Sequence, residues 1–362
     1  MSNFDSITVK SGAGNYEVLF YKSLSDLVDL PILHENYIII CDENIYEKYK
    51  LKINSIFNKP IYIVKSSESA KTLEGIQLFS EWLVQNSVSK RTKLIAIGGG
   101  VIQDIATFTA HIFYRGIDLV FFPTTLLSQS DSCIGAKCGI NLLHYKNQLG
   151  VFHSPKSVFI VEEFLSSLPE PDFVSGFGEI LKLSVTGPNQ FFTQLVDYLQ
   201  NNRFSRDKIL PIVKLSLLSK LSIIEEDEYE SDLRRVLNYG HSFGHSLESL
   251  TNNRVSHGHA VLFGMDIINY LGFNWGITSK SYYEKFKNTL IDHFSEFILP
   301  TNINAEKLIS GLKNDKKTNG SVINFAIPVD FGEIIIRKVE IDSNLLNQVN
   351  EYLSGNSVFR TA

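Results

Sequence analysis

Cysteine, methionine and tryptophan are scarce, with three, two and two residues among 362. Cys41, Cys133 and Cys138 are too few, and odd in number, to build a disulfide framework, which fits a reducing compartment. Cys133 and Cys138 stand five apart but have no second pair to complete a metal site, so buried free thiols are expected. No stretch approaches the roughly 20 uninterrupted apolar residues that cross a bilayer. The first residues, MSNFDSITVKSGAGNYEVLF, also lack the charged start, apolar run and small-residue cleavage site of a secretory leader. A soluble, cytoplasmic protein with no membrane partner is expected. There is no basic tail: 34 Lys and Arg stand against 39 Asp and Glu, a net charge of -5, which disfavours nucleic acid as a partner. Repeats and low-complexity segments are absent too. What is present is a 44% hydrophobic composition, enough to bury a core and, at this length, to form about two domains.

The two halves differ in texture. Up to about residue 165, short β-branched and aromatic runs (YIIICDENI, KPIYIVKSS, KLIAIGGGVI, GIDLVFFPTT, KSVFIVEEF) alternate with helix-length segments. Continuously apolar runs of this kind suit strands buried on both faces of a parallel sheet. Beyond about residue 170, FGEILKLSV, KILPIVKLSLLSKLSIIEED, GHSFGHSLESL and AVLFGMDIINYLGF carry apolar residues at helical spacing. The expectation is an α/β domain over 1–168 and a mostly helical domain over 169–362, joined near Leu168-Pro169-Glu170-Pro171, where prolines suit a connector. A late β-like piece, SVINFAIPV, follows the turn-forming Asn319-Gly320 and reads as a hairpin arm.

Three features carry chemistry. Gly98-Gly99-Gly100-Val101-Ile102-Gln103-Asp104 follows an apolar strand and opens a helix. Glycines there let the backbone approach a phosphate while the helix terminus offers unpaired N–H groups; the bland reading is a tight turn. Asp42-Glu43-Asn44 and Thr124-Thr125 also end strand-like runs, at the carboxyl edge where open α/β sheets bind ligands. Second, four of the nine histidines (His241, His245, His257, His259) fall within nineteen residues. His241 and His245, four apart, would share one face of a helix, and neutral imidazoles suit Zn²⁺. Glu179, a lone acid in an apolar helix, is a candidate third ligand, since burial of a carboxylate calls for a partner. Third, cations recur in turn-rich contexts, at Arg115, Lys137, Lys146, Lys182, Lys220, Arg234 and Lys316. Singly they read as solvated charges; converging, they would focus a field on a polyanion.

Taken together, SSESAK (66–71), GGGVIQD (98–104), YRG (114–116), PTTLLSQSDSCIGAK (123–137), KNQLG (146–150), GEILK (178–182), LRRVLNYGHSFGHSLE (233–248), HGHAVLFGM (257–265) and DKK (315–317) resemble the sugar phosphate cyclase family, most closely its 3-dehydroquinate synthase branch. The resemblance implies a Rossmann-like NAD-binding α/β domain followed by a helical metal-binding domain. It implies Zn²⁺ or Co²⁺ on Glu179, His241 and His257, and it moves His245 from the metal to the substrate phosphate region. It implies NAD contacts at Asp42, Asn44, Glu68, Lys71, Gly99, Gly100, Val101, Asp104, Thr124, Thr125, Lys137, Lys146 and Asn147. Substrate and catalytic positions would be Asp131, Lys137, Lys182, Lys220, Arg234, Asn238, His245 and Lys316, with Arg115 reaching across a homodimer to the partner's site. The implied reaction converts 3-deoxy-D-arabino-heptulosonate 7-phosphate to 3-dehydroquinate. A hydroxyl is oxidised at the expense of NAD⁺, phosphate leaves by β-elimination, the ketone is reduced again, and the opened ring closes by an aldol step. A closing interdomain cleft is expected with it. The alternatives are a related cyclase taking sedoheptulose 7-phosphate or an amino-heptulosonate phosphate, and a metal-dependent polyol dehydrogenase. Several positions depart from the family's pattern: Gln103, Ala136, Cys138, His259 and the His144-Tyr145 pair before Lys146.

Overall fold

The computed structural model describes residues 6–143, 145–301, 303–313, 318–319 and 321–361. Two compact units divide the chain: residues 1–173 with 206–229, and residues 174–205 with 230–362. The first unit thus takes in a segment lying beyond the connector at residue 168.

The first unit is built on a seven-stranded sheet. Its strands are β1 (Ser6–Val9), β2 (Tyr16–Tyr21), β3 (Tyr37–Asp42), β4 (Ile61–Val64), β5 (Lys93–Gly98), β6 (Leu119–Pro123) and, after a separate hairpin of β7 (Lys137–Leu142) and β8 (Tyr145–Phe152), β9 (Ser157–Val161). The order is β1-β2-β9-β6-β5-β3-β4. All neighbours are parallel except β1 with β2. All five apolar runs singled out in the sequence lie in β3, β4, β5, β6 and β9; β1, β2 and the hairpin lack that signature. In β3, every residue is buried, as a strand covered on both faces by helices requires.

Helices α1 (Glu43–Ile56), α2 (Leu73–Gln85) and α3 (Gly100–Ile112) connect the strands. From β3 the chain moves outward to β4, whereas from β5 it moves the other way to β6. The topology therefore switches between β3 and β5, and the carboxyl ends of those strands are Asp42 and Gly98. Such a switch point leaves a crevice that ligands use.

A short helix, α4 (Glu163–Ser166), leads to α5 (Glu170–Thr186) and α6 (Asn189–Asn202). Helix α7 (Leu210–Ile224) belongs to the first unit. It is apolar nearly all round, with Pro211 in its first turn, and its Ser216 hydroxyl donates to the carbonyl of Ser130 at 3.0 Å. A helix without a polar face is stable only when buried.

The second unit is mostly helical. Its centre is α9 (His257–Asn274), which follows α8 (His241–Leu250) and is buried along most of its length. The late apolar run forms one arm of a hairpin, Val322–Asp330 paired with Glu333–Glu340. Gly320 lies outside the described residues. No described helix is long and apolar enough to cross a membrane.

Asp266 of α9 fixes the C-terminal segment: its carboxylate accepts from the Tyr352 hydroxyl at 2.7 Å and the Val358 amide at 2.9 Å. Burial pushes its pKa from 3.8 to about 6. A raised carboxyl pKa favours the protonated folded form, so this contribution is complete below 3.8 and is lost as pH rises through about 6. Asp266→Asn keeps an acceptor and cannot ionise. It is expected to raise the melting temperature at pH 8, by up to about 3 kcal/mol of stability, with the gain vanishing near pH 4; a difference independent of pH would contradict the assignment.

Candidate functional site

In the first unit, the triple glycine sits where the topology switches. Gly99 precedes α3 with no side chain to cap it, so the first N–H groups of that helix are left for an anion. A methyl group on Gly98 would meet Ile102 at 2.5 Å and one on Gly99 would meet Thr125 at 3.0 Å, whereas at Gly100 the space is open, with Ser132 Oγ 3.9 Å away. Val101 follows in the first turn of α3.

Around this terminus Asp104 is a hub. Its Oδ2 takes Lys71 Nζ at 2.7 Å and its Oδ1 takes the Gly139 amide at 3.2 Å. Burial raises its pKa against the opposing pull of Lys71. Lys71 also lies 3.9 Å from Glu68, which is tied in turn to Asn141 Nδ2 at 2.9 Å. The amide of Asn147 donates to Asn141 Oδ1 at 3.0 Å, and Lys137 and Lys146 stand on the same hairpin. Asp42 caps α1 by accepting from the Ile45 amide at 3.1 Å, with Asn44 exposed as the second residue of the helix. Thr124 donates its amide to the carbonyl of Gly98 at 3.1 Å, and the Thr125 hydroxyl meets Ser128 at 2.9 Å. A cavity of about 50 Å³ adjoins α3, lined among others by Gly100, Gln103, Ser132 and Lys137. Gln103 accepts from Ser132 at 2.6 Å, but its buried Nε2 has no hydrogen-bond partner. Uncapped helix donors, an open glycine and an orphaned amide at a switch point fit a dinucleotide.

Also in the first unit, Lys220 of α7 reaches Asp131, with Nζ 2.5 Å from the carboxylate and 2.7 Å from the same residue's carbonyl. Arg115 is exposed in a turn where Tyr114 and Arg115 both adopt left-handed backbone angles (φ 50° and 57°) before Gly116, a conformation that side chains with a Cβ disfavour.

The second unit assembles the acid and the imidazoles, and close backbone contact makes this possible. A methyl group added to Gly258 would lie 1.6 Å from the Ser175 carbonyl oxygen, and one on Gly178 would lie 2.2 Å from the carbonyl oxygen of Gly258. Helices α5 and α9 therefore touch backbone to backbone where Glu179 and His257 emerge. The turn into α8 is equally tight: Gly240 takes a left-handed φ of 78°, and a methyl group on Gly264 of α9 would lie 1.8 Å from its carbonyl oxygen.

Glu179 Oε1 lies 3.1 Å from His257 Nε2 and 3.3 Å from His241 Nε2. Donor atoms around a tetrahedral ion with bonds of about 2.0–2.1 Å stand about 3.3 Å apart, so these spacings already match an ion's coordination sphere. His241 Nδ1 is 3.1 Å from the carbonyl of Tyr239. A carbonyl only accepts, so Nδ1 carries the hydrogen and Nε2 is left as the donor for a metal. Tyr239 is itself held by a buried network, its hydroxyl 2.7 Å from Asn269 and 2.9 Å from Tyr282. Glu179 is 1% exposed, and its second oxygen contacts the Lys182 ammonium one turn along α5. Burial pushes the Glu179 carboxyl up, but Lys182, His241 and the ring hydrogen bonds outweigh it and hold it well below the usual range. Burial lowers His241, with Glu179 opposing. In His257 burial is outweighed by Glu179 and Glu248, and the pKa rises to about 10.

Of the four clustered histidines, His245 has its ring centroid 5.3 Å from that of His241 and 6.0 Å from that of His257. His259 turns away: it bonds Ser256 at 2.6 Å and packs on Phe297, and burial lowers its pKa to about 4. Arg234 is 3% exposed, and Asn238 Nδ2 donates to Glu230 at 2.9 Å. Lys316 lies outside the described residues. Two participants are not singled out by the sequence reading: Glu230, and Glu248, whose carboxylate lies 3.2 Å from His257 Nδ1. Glu248 stands seven residues after His241, two turns along the same helix face; that spacing was the available signal.

The fold is that of the sugar phosphate cyclases. With 22% identity and a TM-score of 0.85, it is similar to 2-deoxy-scyllo-inosose synthase complexed with carbaglucose-6-phosphate, NAD⁺ and Co²⁺, covering 96% of this chain and 100% of that one. The 2-epi-5-epi-valiolone synthase ValA from Streptomyces hygroscopicus subsp. jinggangensis, with NAD⁺ and Zn²⁺ bound, gives the same identity and TM-score over 97% and 99%. The profile of the 3-dehydroquinate synthase N-terminal domain matches residues 61–175 and that of the C-terminal domain residues 176–318. The 3-dehydroquinate synthase of Thermoanaerobacter sp. is 34% identical over 353 residues, 92% of this chain and 97% of that protein. The chain belongs to the 3-dehydroquinate synthase family.

Gly258→Ala tests the helix contact that aligns Glu179 with His257. The added methyl group must push α9 from α5, at a cost of about 1–3 kcal/mol or more. The expected result is a lower melting temperature and at least tenfold weaker zinc binding in chelator competition; unchanged zinc affinity would show that the contact does not set the site.

Proposed function

We propose that the chain is a 3-dehydroquinate synthase that converts 3-deoxy-D-arabino-heptulosonate 7-phosphate into 3-dehydroquinate and phosphate, using NAD⁺ and a divalent ion, Zn²⁺ or Co²⁺. The observation that carries this reading is the acid and two imidazoles meeting at ion-coordination distance inside a chain of this family. Glu179, His241 and His257 would hold the ion. The α3 terminus, with Gly99, Gly100, Val101, Asp104, Asp42, Asn44, Glu68, Lys71, Thr124, Thr125, Lys137, Lys146 and Asn147, would hold NAD in the first unit. When bound, the two groups supply a Lewis acid for substrate hydroxyls and a reversible hydride acceptor.

The chain's own residues do the rest. Lys182, buried against Glu179, supplies a fixed positive charge where an alkoxide develops, a stabilisation that is strong in a water-poor site. His245, within the imidazole cluster, is suited to move a proton during phosphate departure. Arg234 offers a planar guanidinium for two-point binding of the substrate carboxylate, and Asn238 a hydrogen-bond donor. Asp131 and Lys220 form a pair fixed by carbonyl contacts, so neither must reorganise during reaction. Arg115, lifted on its strained turn, would complete the phosphate site of a partner in a homodimer. A cytoplasmic location accords with the three buried free cysteines.

The test incubates zinc-loaded protein and catalytic NAD⁺ with a carboxylated heptulosonate phosphate or with sedoheptulose 7-phosphate, following phosphate release and carbocycle formation. Turnover with the carboxylated substrate, without build-up of NADH, is expected. Turnover only with sedoheptulose 7-phosphate would reassign the chain to a related cyclase, and NADH in proportion to product would make it a dehydrogenase. In the same assay, His257→Ala is expected to lose turnover by several orders of magnitude while NAD⁺ affinity, measured by titration, changes less than about threefold.

A further inference from the structure

We infer that Glu248 is a positioning residue for the metal centre: its carboxylate holds the Nδ1–H of His257 so that the opposite nitrogen points at Glu179 and the ion. The inference rests on the reading of Glu179, His241 and His257 as the ion-binding set.

The geometry grips the His257 ring at both ends, with Nε2 3.1 Å from Glu179 Oε1 and Nδ1 3.2 Å from Glu248 Oε2. Glu248 is 7% exposed, on a face of α8 shared with His241, so its position is set by the helix rather than by a mobile surface rotamer. A neutral imidazole has one N–H and one lone pair. An ionised carboxylate only accepts, so Glu248 assigns the hydrogen to Nδ1 and the lone pair to Nε2. His241 is oriented in the same sense, but by a neutral carbonyl, that of Tyr239. The two imidazoles therefore differ: one faces a dipole and the other a full negative charge. A carboxylate behind an imidazole raises its basicity and typically strengthens metal binding by 10–100-fold. His257 becomes the stronger nitrogen donor of the pair.

The same atoms permit a competing arrangement. His245, Glu248 and His257 also offer donor atoms within 4.8 Å of one another, which would make Glu248 a direct ligand to a second ion. That arrangement needs both nitrogens of His257 stripped of hydrogen, so that one ring bridges two ions. The positioning role needs only the neutral ring.

The experiment measures zinc affinity and stoichiometry by chelator competition on the full chain. It compares the unaltered protein, Glu248→Ala, Glu248→Gln and Glu179→Ala, and records the visible spectra of the Co²⁺-substituted forms. One ion per chain is expected in the unaltered protein. Glu248→Ala should bind zinc 10–100-fold more weakly and shift the Co²⁺ bands, because the His257 ring is no longer fixed. Glu248→Gln, whose amide oxygen still accepts from Nδ1–H, should recover the band positions and part of the affinity. A merely structural role would lower the melting temperature of the ion-free protein without moving the bands. The inference is overturned if Glu248→Ala matches the unaltered protein in affinity and spectrum while Glu179→Ala loses zinc. Two ions per chain, one of them lost with Glu248, would also overturn it. If Glu179→Ala itself binds zinc normally, the ion-binding reading of the three residues fails and this inference falls with it.

Discussion

The contact of α5 with α9 through Gly178 and Gly258 is the constraint on which the second unit's chemistry depends. With a side chain at either position the helices would separate by more than an ångström, because a methyl group there would fall 2.2 Å or 1.6 Å from a carbonyl oxygen of the facing backbone. Glu179 is the residue directly after one glycine, and His257 is the residue directly before the other. Backbone contact thus becomes side-chain proximity without any long, rotamer-rich reach. Glycine is unfavourable in a helix by about 1 kcal/mol relative to alanine. Its presence in the first turn of α9 and the middle of α5 is explained by the crossing rather than by helix propensity.

Such closeness carries an electrostatic cost that the surrounding groups offset. Glu179 is buried beside Lys182, and Glu248 is buried beside His257, so the cluster alternates in sign along its contacts. A buried charge without partners would neutralise by shifting its pKa. Here Lys182 and the imidazoles hold the Glu179 carboxyl well below its usual range, and the two acids raise the pKa of the His257 ring between them.

How much of this was legible in the sequence follows from which signals are local. Apolar runs bounded by turns announced β3, β4, β5, β6 and β9, since burial on both faces leaves no polar alternation to blur them. The edge pair β1 and β2 and the hairpin of β7 and β8 carry mixed patterns and gave no such signal. For the site, helical periodicity grouped His241 with His245, four apart, as metal ligands. The structure instead brings His241 and His257 to Glu179, across a loop and from three helices. No spacing rule encodes that meeting, because it is set by a crossing whose mark in the sequence is two glycines 80 residues apart. The resemblance to a family supplied what periodicity could not. His259 shows the opposite limit: it belongs to the cluster by sequence, yet the helix start turns it toward Ser256 and Phe297.

The division into units adds a constraint of its own. Lys220 and Arg234 are fourteen residues apart, yet Lys220 belongs to the first unit and Arg234 to the second. The chain passes from one to the other between Tyr229 and Glu230, and Glu230 takes a left-handed φ of 59° at that passage. A non-glycine residue in that region costs energy unless its surroundings over-determine it. The Asn238 amide that bonds its carboxylate supplies part of that determination. Glu230 therefore belongs to the hydrogen bonding of Asn238 and also to the path by which the chain leaves α7. A substitution there would act on the backbone passage as well as on the polar contact, so its effect could not be assigned to side-chain chemistry alone. Asn238, whose backbone carries no such strain, separates the two.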